Sequence, residues 1–176
     1  MERYALPEEP QLILGIDPGY AIIGFGLIRS QGGRYRHLRH GAVTTPADLP
    51  LPERLRILYA DMTTLLSAQR PDAVAIEKLY FNTNTTTAIA VAEARGVILL
   101  SVADANIPIF EYSPSEIKQA VVGYGKAEKT QMMEMTKALL GLPARPKPDD
   151  AADALAVALC HAAMRSSLQN FRHWDG

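Results

Sequence analysis

Four consecutive apolar residues, Ala73-Val74-Ala75-Ile76, constrain this chain more than any other stretch. The run is too short for a helix. As a strand it turns apolar side chains to both faces, so both faces must be covered. Such a strand lies inside a sheet with helices packed on either side. Leu12-Ile13-Leu14-Gly15-Ile16 is a second apolar run, closed by the turn Asp17-Pro18-Gly19. Residues 22–28 predict another strand, in which Gly24 and Gly26 let a neighbouring element come close on one face. Gln31-Gly32-Gly33 is a hairpin signal, and residues 34–45 read as a third, more polar strand.

Helical spacing takes over from there. Leu55, Leu58, Met62, Leu65 and Leu66 place an amphipathic helix over residues 51–69, with Pro52 in its first turn. Residues 83–104 are Ala-rich and apolar nearly all round, which predicts a helix buried on two sides, against the sheet and against a partner subunit. A strand over residues 107–111 follows, then helices over 113–122, opened by Ser113-Pro114, over 126–140 and over 149–164. The order predicts an α/β architecture with a five-stranded mixed sheet flanked by helices. We divide it into an amino-terminal extension (residues 1–11), one domain (12–166) and a carboxy-terminal tail (167–176).

The lone Cys160 excludes a disulfide framework and a cysteine-based zinc site, and reads as a small core residue. No uncharged apolar run nears the roughly 20 residues of a membrane span, and the opening MERYALPEEPQ is acidic rather than signal-like. A cytoplasmic protein with no membrane contact is expected. Lys and Arg number 18 against 19 Asp and Glu, so a nucleic-acid surface has to be a local patch. Arg29, Arg34, Arg36 and Arg39, with His37 and His40 between them, form such a patch, either a DNA contact or an exposed hairpin's decoration.

Four acids fall at element ends. Asp17 closes the first strand, Glu77 closes the fourth, and Asp150 and Asp153 share a face of the last helix, three residues apart. If the first and fourth strands are neighbours, the four gather at one sheet end. Clustered carboxylates repel, and bound cations relieve them. Two hard cations such as Mg²⁺ could then support phosphodiester displacement by water. Each acid has a plainer reading. Asp17 can serve the Asp-Pro-Gly turn, Glu77 can pair with a lysine, and Asp149, Asp150 and Asp153 can cap a helix. Asp149 and Asp153 also share a helix face, and His161 continues the stripe as a tuning or merely structural residue.

The segments Gly15-Ile16-Asp17-Pro18-Gly19, Ala75-Ile76-Glu77-Lys78-Leu79-Tyr80-Phe81, Ala94-Arg95-Gly96-Val97, Val121 to Lys129 and Asp150-Ala151-Ala152-Asp153-Ala154-Leu155-Ala156 together resemble the RuvC family of Holliday-junction resolvases, which have the ribonuclease H-like fold. The resemblance runs over about residues 12–161. It implies an acidic quartet at Asp17, Glu77, Asp150 and Asp153, serving as both catalytic residues and metal ligands. It also implies a stacking aromatic at Tyr80 with Phe81 beside it, and phosphate-neighbouring lysines at Lys118 and Lys129. A symmetric homodimer, Mg²⁺ or Mn²⁺ dependence with two ions per subunit, a four-way DNA junction as substrate, and collaboration with RuvA and RuvB follow from the resemblance alone. Ile89, Val91, Val97 and Leu100 on the helix of residues 83–104 are the candidate dimer contact, the other reading being an ordinary buried helix.

Two further functions compete. Another nuclease of the same fold, acting on flaps or RNA-DNA hybrids, would share the quartet. A non-catalytic junction-binding module would use the acids as caps and salt bridges and show no response to Mg²⁺. An actin-like ATPase or sugar kinase needs a second domain for which 176 residues leave no room.

Overall fold

A computed structural model describes residues 9–80 and 85–172. The elements are β1 (Gln11–Asp17), β2 (Ile22–Gln31), β3 (Arg34–Thr44), α1 (Leu51–Gln69), β4 (Ala73–Glu77), α2 (Thr85–Asp104), β5 (Ile109–Tyr112), α3 (Pro114–Val122), α4 (Lys129–Leu139) and α5 (Asp149–Arg172). The five strands form one mixed sheet in the order β3-β2-β1-β4-β5. β1 pairs antiparallel with β2 and parallel with β4, and β4 pairs parallel with β5. The expected sheet is present, and β1 and β4 are neighbours.

Two apolar layers sandwich the sheet. Leu14, Ile16, Phe25, Leu27, Val74 and Ile76 pack with Leu58, Met62 and Leu66 of α1 and Ala94, Ile98 and Val102 of α2. On the other face Ile13, Ile28 and Ala75 pack with α3, α4 and α5, the last through Leu155 to Cys160. Glycines set the distance on that second face. A Cβ on Gly15 would collide with the Ala154 carbonyl oxygen, and one on Gly24 with the Asp150 carbonyl oxygen. α5 therefore rests on the backbone of β1 and β2, closer than any larger residue would allow.

Some boundaries differ from expectation. β5 starts at Ile109 rather than at residue 107, because Pro108 has no N–H and joins the ladder only through its carbonyl, which accepts from Val74 N–H. α4 starts at Lys129 rather than at residue 126: Glu128 takes the cap, and its N–H donates to Gln131 Oε1 at 2.9 Å. α5 runs on to Arg172, past residue 164, since the segment holds no Gly or Pro to stop it. α2 is buried on one side only within the chain. Ala94, Ile98 and Val102 face the core, while Ile89 and Leu100 are 64% and 54% exposed. No helix among the described residues is long and apolar enough to cross a membrane.

Candidate functional site

The parallel register of β1 and β4 ends with Ile16 opposite Ile76, and Asp17 and Glu77 come next on each strand. Strand alternation puts both on the face of Gly15 and Ala75, the face that α5 covers. α5 begins above this sheet end, with the Asp150 main chain against Gly24, the residue opposite Asp17. The fold thus brings the four expected acids to one place.

Their electrostatics show the crowding. Burial, followed by Asp153, Glu77 and Asp150, pushes the Asp17 carboxyl up to about 7, and Lys129 only partly counters this. Glu77 is raised by burial and by Asp153, with Lys118 opposing. Asp153 is raised by burial, against the pull of Lys129. Lys129, the first residue of α4, sends Nζ to 3.4 Å from both Asp153 Oδ2 and Asp149 Oδ2. Partial burial disfavours its charge, and the two carboxylates more than offset this, leaving its pKa above the usual lysine value.

Two clefts meet at Glu77. One, of about 220 Å³, is lined by Glu77, Lys118, Lys129, Met132 and Asp153. The other, about 250 Å³, is lined by Asp17, Pro18, Glu77, Lys78 and Tyr80. Both expected lysines and the expected aromatic therefore border the acids. Tyr80 is 62% exposed rather than core. Phe81 lies outside the described residues. A larger cleft of about 400 Å³ lies between α1 and α2, and its one carboxylate, Asp104, already accepts from Tyr59 Oη.

Among the described residues no three His, Cys, Asp or Glu side chains are placed to hold one metal ion together. The donors at the site are all hard carboxylate oxygens. That set fits Mg²⁺ or Mn²⁺, which take few carboxylates and complete their shell with water and phosphate oxygens.

Other residues hold these in place. Arg54 is buried; its Nε donates to Thr45 Oγ1 at 3.0 Å and its Nη2 to the Tyr20 carbonyl at 3.2 Å, and its guanidinium lies 4.8 Å from the Tyr20 ring centre. It thereby ties down the turn that follows Asp17. Arg95 on α2 donates from Nε to the Glu77 carbonyl at 3.3 Å and pairs with Glu111 at 3.1 Å. Neither role was read from the sequence. The signal for Arg54 was its place in the buried line Arg54, Leu58, Met62, Leu66. For Arg95 it was a basic residue, near Glu93, in the middle of a mainly apolar helix. His161 is buried beyond the acids, hydrogen-bonded through Nδ1 to Tyr112 Oη at 2.7 Å and stacked on Phe110 at 4.2 Å between ring centres. Burial and Arg165 lower its pKa to about 4, so it is neutral at physiological pH. The buried Cys160 thiol, pushed up to about 12 by burial, is a core residue.

The family model for "Crossover junction endodeoxyribonuclease RuvC" matches residues 13–161. A Rubrobacter xylanophilus protein of that name is 55% identical over 152 residues, 86% of this chain and 85% of its own length. A solved structure of Thermus thermophilus RuvC superposes with a TM-score of 0.82 at 34% identity, covering 89% of this chain and 96% of that one. A second, titled T. thermophilus RuvC in complex with Holliday junction substrate, gives 0.81 at 32% over the same shares. Sequence and fold agree across nearly the whole domain, and the chain belongs to the RuvC family of crossover junction endodeoxyribonucleases.

Proposed function

We propose that the protein is a divalent-metal-dependent nuclease that resolves four-way DNA junctions by paired, symmetric nicks in recombination and repair. One observation carries this reading: Asp17, Glu77 and Asp153 converge with Lys118 and Lys129 where β1 and β4 end, beside an exposed Tyr80. Mg²⁺ or Mn²⁺, two ions per subunit, supplies Lewis acidity at the scissile phosphate when bound. Asp17 would be the ligand shared between the metal positions, with Glu77, Asp150 and Asp153 completing the shell. Lys118 and Lys129 would counter the phosphate charge, Lys129 from its place 3.4 Å from Asp153 and Asp149. Tyr80, with Phe81 as its neighbour in sequence, stacks on an unpaired base at the crossover, an interaction worth about 1–3 kcal/mol. Water attacks phosphorus, the bond from phosphorus to the 3′ oxygen breaks, and that oxygen takes up a proton in place of the one water gives up, leaving 5′-phosphate and 3′-hydroxyl ends fit for ligation.

The substrate has two equivalent strands, and a two-fold homodimer matches that symmetry. The exposed Ile89 and Leu100 on α2 support a dimer contact there. Residues 12–166 carry the nuclease, with Gln11, which opens β1, and residues 167–172, which end α5, continuing its elements. Action in the cytoplasm alongside RuvA and RuvB completes the reading and rests on the family resemblance.

The deciding experiment is cleavage of a labelled synthetic four-way junction beside linear duplex, with Mg²⁺ or EDTA and with Asp17→Asn as control. Paired nicks on the junction alone, lost with EDTA or the substitution, are expected. Tight binding without cleavage would support a non-catalytic junction binder, and cleavage of the duplex would keep the fold and metals but move the substrate elsewhere.

A further inference from the structure

The β2–β3 hairpin carries Arg29, Arg34, Arg36 and Arg39 in a stretch without an acid. In a regular strand residues three apart point to opposite faces, which would separate Arg36 from Arg39. A bulge prevents this. His37 lies opposite Ile28 and Arg39 opposite Leu27, leaving Leu38 as the extra residue. Arg36 lies opposite Arg29, and Arg34 opposite Gln31. All four arginines therefore share the face of Leu12 and Leu27, while His37 and His40 take the face of Ile28 and Gly26.

Like charges placed directly across a strand pair weaken it, so the Arg29–Arg36 pair is a cost to the fold's own stability. The four side chains are exposed, and none has an ion pair among the described residues. Asp72, which approaches Leu12 beside Arg29, has its carboxylate engaged by the Leu12 N–H at 2.7 Å. Arg34 and Arg36 stand about 6.7 Å apart along the strand, near twice the rise per phosphate of one duplex strand.

We propose that this face is a second phosphate-binding surface, which holds a duplex arm of the junction away from the point of cleavage. The proposal rests on the junction reading above. Arg29 pairs with Leu12, five residues before Asp17 and on the opposite face of the sheet, which places the surface about 17 Å back along β1 and on the side of α1 rather than of α5. β3 is also the edge strand, on the opposite edge of the sheet from β5 and α2. An arm reaches this surface by passing round the β3 edge.

The test measures salt-dependent junction binding by the full chain and by a variant combining Arg29→Gln, Arg34→Gln, Arg36→Gln and Arg39→Gln, with a four-lysine variant as charge-preserving control. The log–log salt slope is expected to shrink by about 0.9 per arginine, so the glutamine variant is less salt-sensitive by about 100-fold over a fourfold rise in salt. The lysine variant keeps the slope. Uncharged methylphosphonate linkages beyond half a turn from the crossover weaken the unaltered protein and leave the glutamine variant unaffected. Single-turnover nicking of the saturated complex stays the same. An unchanged slope in a protein that still nicks the junction overturns this surface alone. Failure of the unaltered protein to nick overturns the reading beneath it.

Discussion

Lys129 Nζ stands 3.4 Å from Asp153 Oδ2 and at the same distance from Asp149 Oδ2, so the acid cluster already contains a cation of its own. An ammonium there occupies part of the space and charge that a divalent ion would take. It also keeps a positive group at hand for a phosphate.

Lys129→Met is therefore expected to act in two directions. Cleavage at saturating Mg²⁺ falls about 100-fold, as for loss of one charge stabiliser in a transition state. The rise in melting temperature on adding Mg²⁺ becomes larger, because the metal-free carboxylates then repel unopposed. Thermal unfolding with and without Mg²⁺, beside single-turnover cleavage, checks both. A cleavage loss with an unchanged Mg²⁺ response would remove Lys129 from the carboxylate group.

The Asp17 carboxyl titrates near 7 in the fold, against 3.8 for its ordinary value, chiefly because it is buried. The folded state then holds a proton more tightly than the unfolded chain. That stability is fully present below about pH 4 and is lost as pH rises to about 7. At about 1.4 kcal/mol per unit the loss is a few kcal/mol, and the raised Glu77 and Asp153 add to it with the same sign. Denaturant titrations in EDTA at pH 5 and pH 8 measure it. The slope is expected to flatten in Asp17→Asn and with millimolar Mg²⁺.

Gly24→Ala puts a methyl group where the Asp150 carbonyl oxygen lies. The start of α5 must move outward, taking Asp150 and Asp153 from Asp17. We expect a loss of about 1–3 kcal/mol in stability, the usual cost of overpacking, and a larger loss of cleavage. A chevron or melting curve beside the junction assay separates the two. Retained cleavage in a destabilised variant would show that α5 does not need this approach.

Ile89→Asp and Leu100→Asp fall on the exposed side of α2. Neither side chain contributes to the chain's own core, so a monomer carrying them is expected to keep its secondary structure. Sedimentation should show loss of the dimer, and the junction assay loss of paired nicks. A variant that remains dimeric with both substitutions would place the subunit contact elsewhere.

Much of this was legible in the sequence because it rested on short-range periodicity. α1 was bounded at residues 51–69 as found, since its leucines repeat with helical spacing and Pro52 marks its start. Asp17 and Glu77 stood out because each ends an apolar run, and strand adjacency did the rest. What escaped depends on angles between elements. The Lys129–Asp149 pair follows from how α4 meets α5, and the bulge at Leu38 follows from pairing between β2 and β3. α2 was read as covered by the sheet on one side and by a second chain on the other; the structure shows the first contact through Ala94, Ile98 and Val102 and leaves Ile89 and Leu100 exposed. Arg54 escaped because a charge in a helix reads as solvent-facing, although it shares the buried line of Leu58 and Met62.

The approach of α5 to Gly15 and Gly24 is set by main chain against main chain. The gap between Asp17 and the α5 acids thus owes little to side-chain rotamers, which loosen first on warming. Catalytic geometry and global structure are then expected to fail together, with activity persisting up to the onset of cooperative unfolding rather than fading ahead of it.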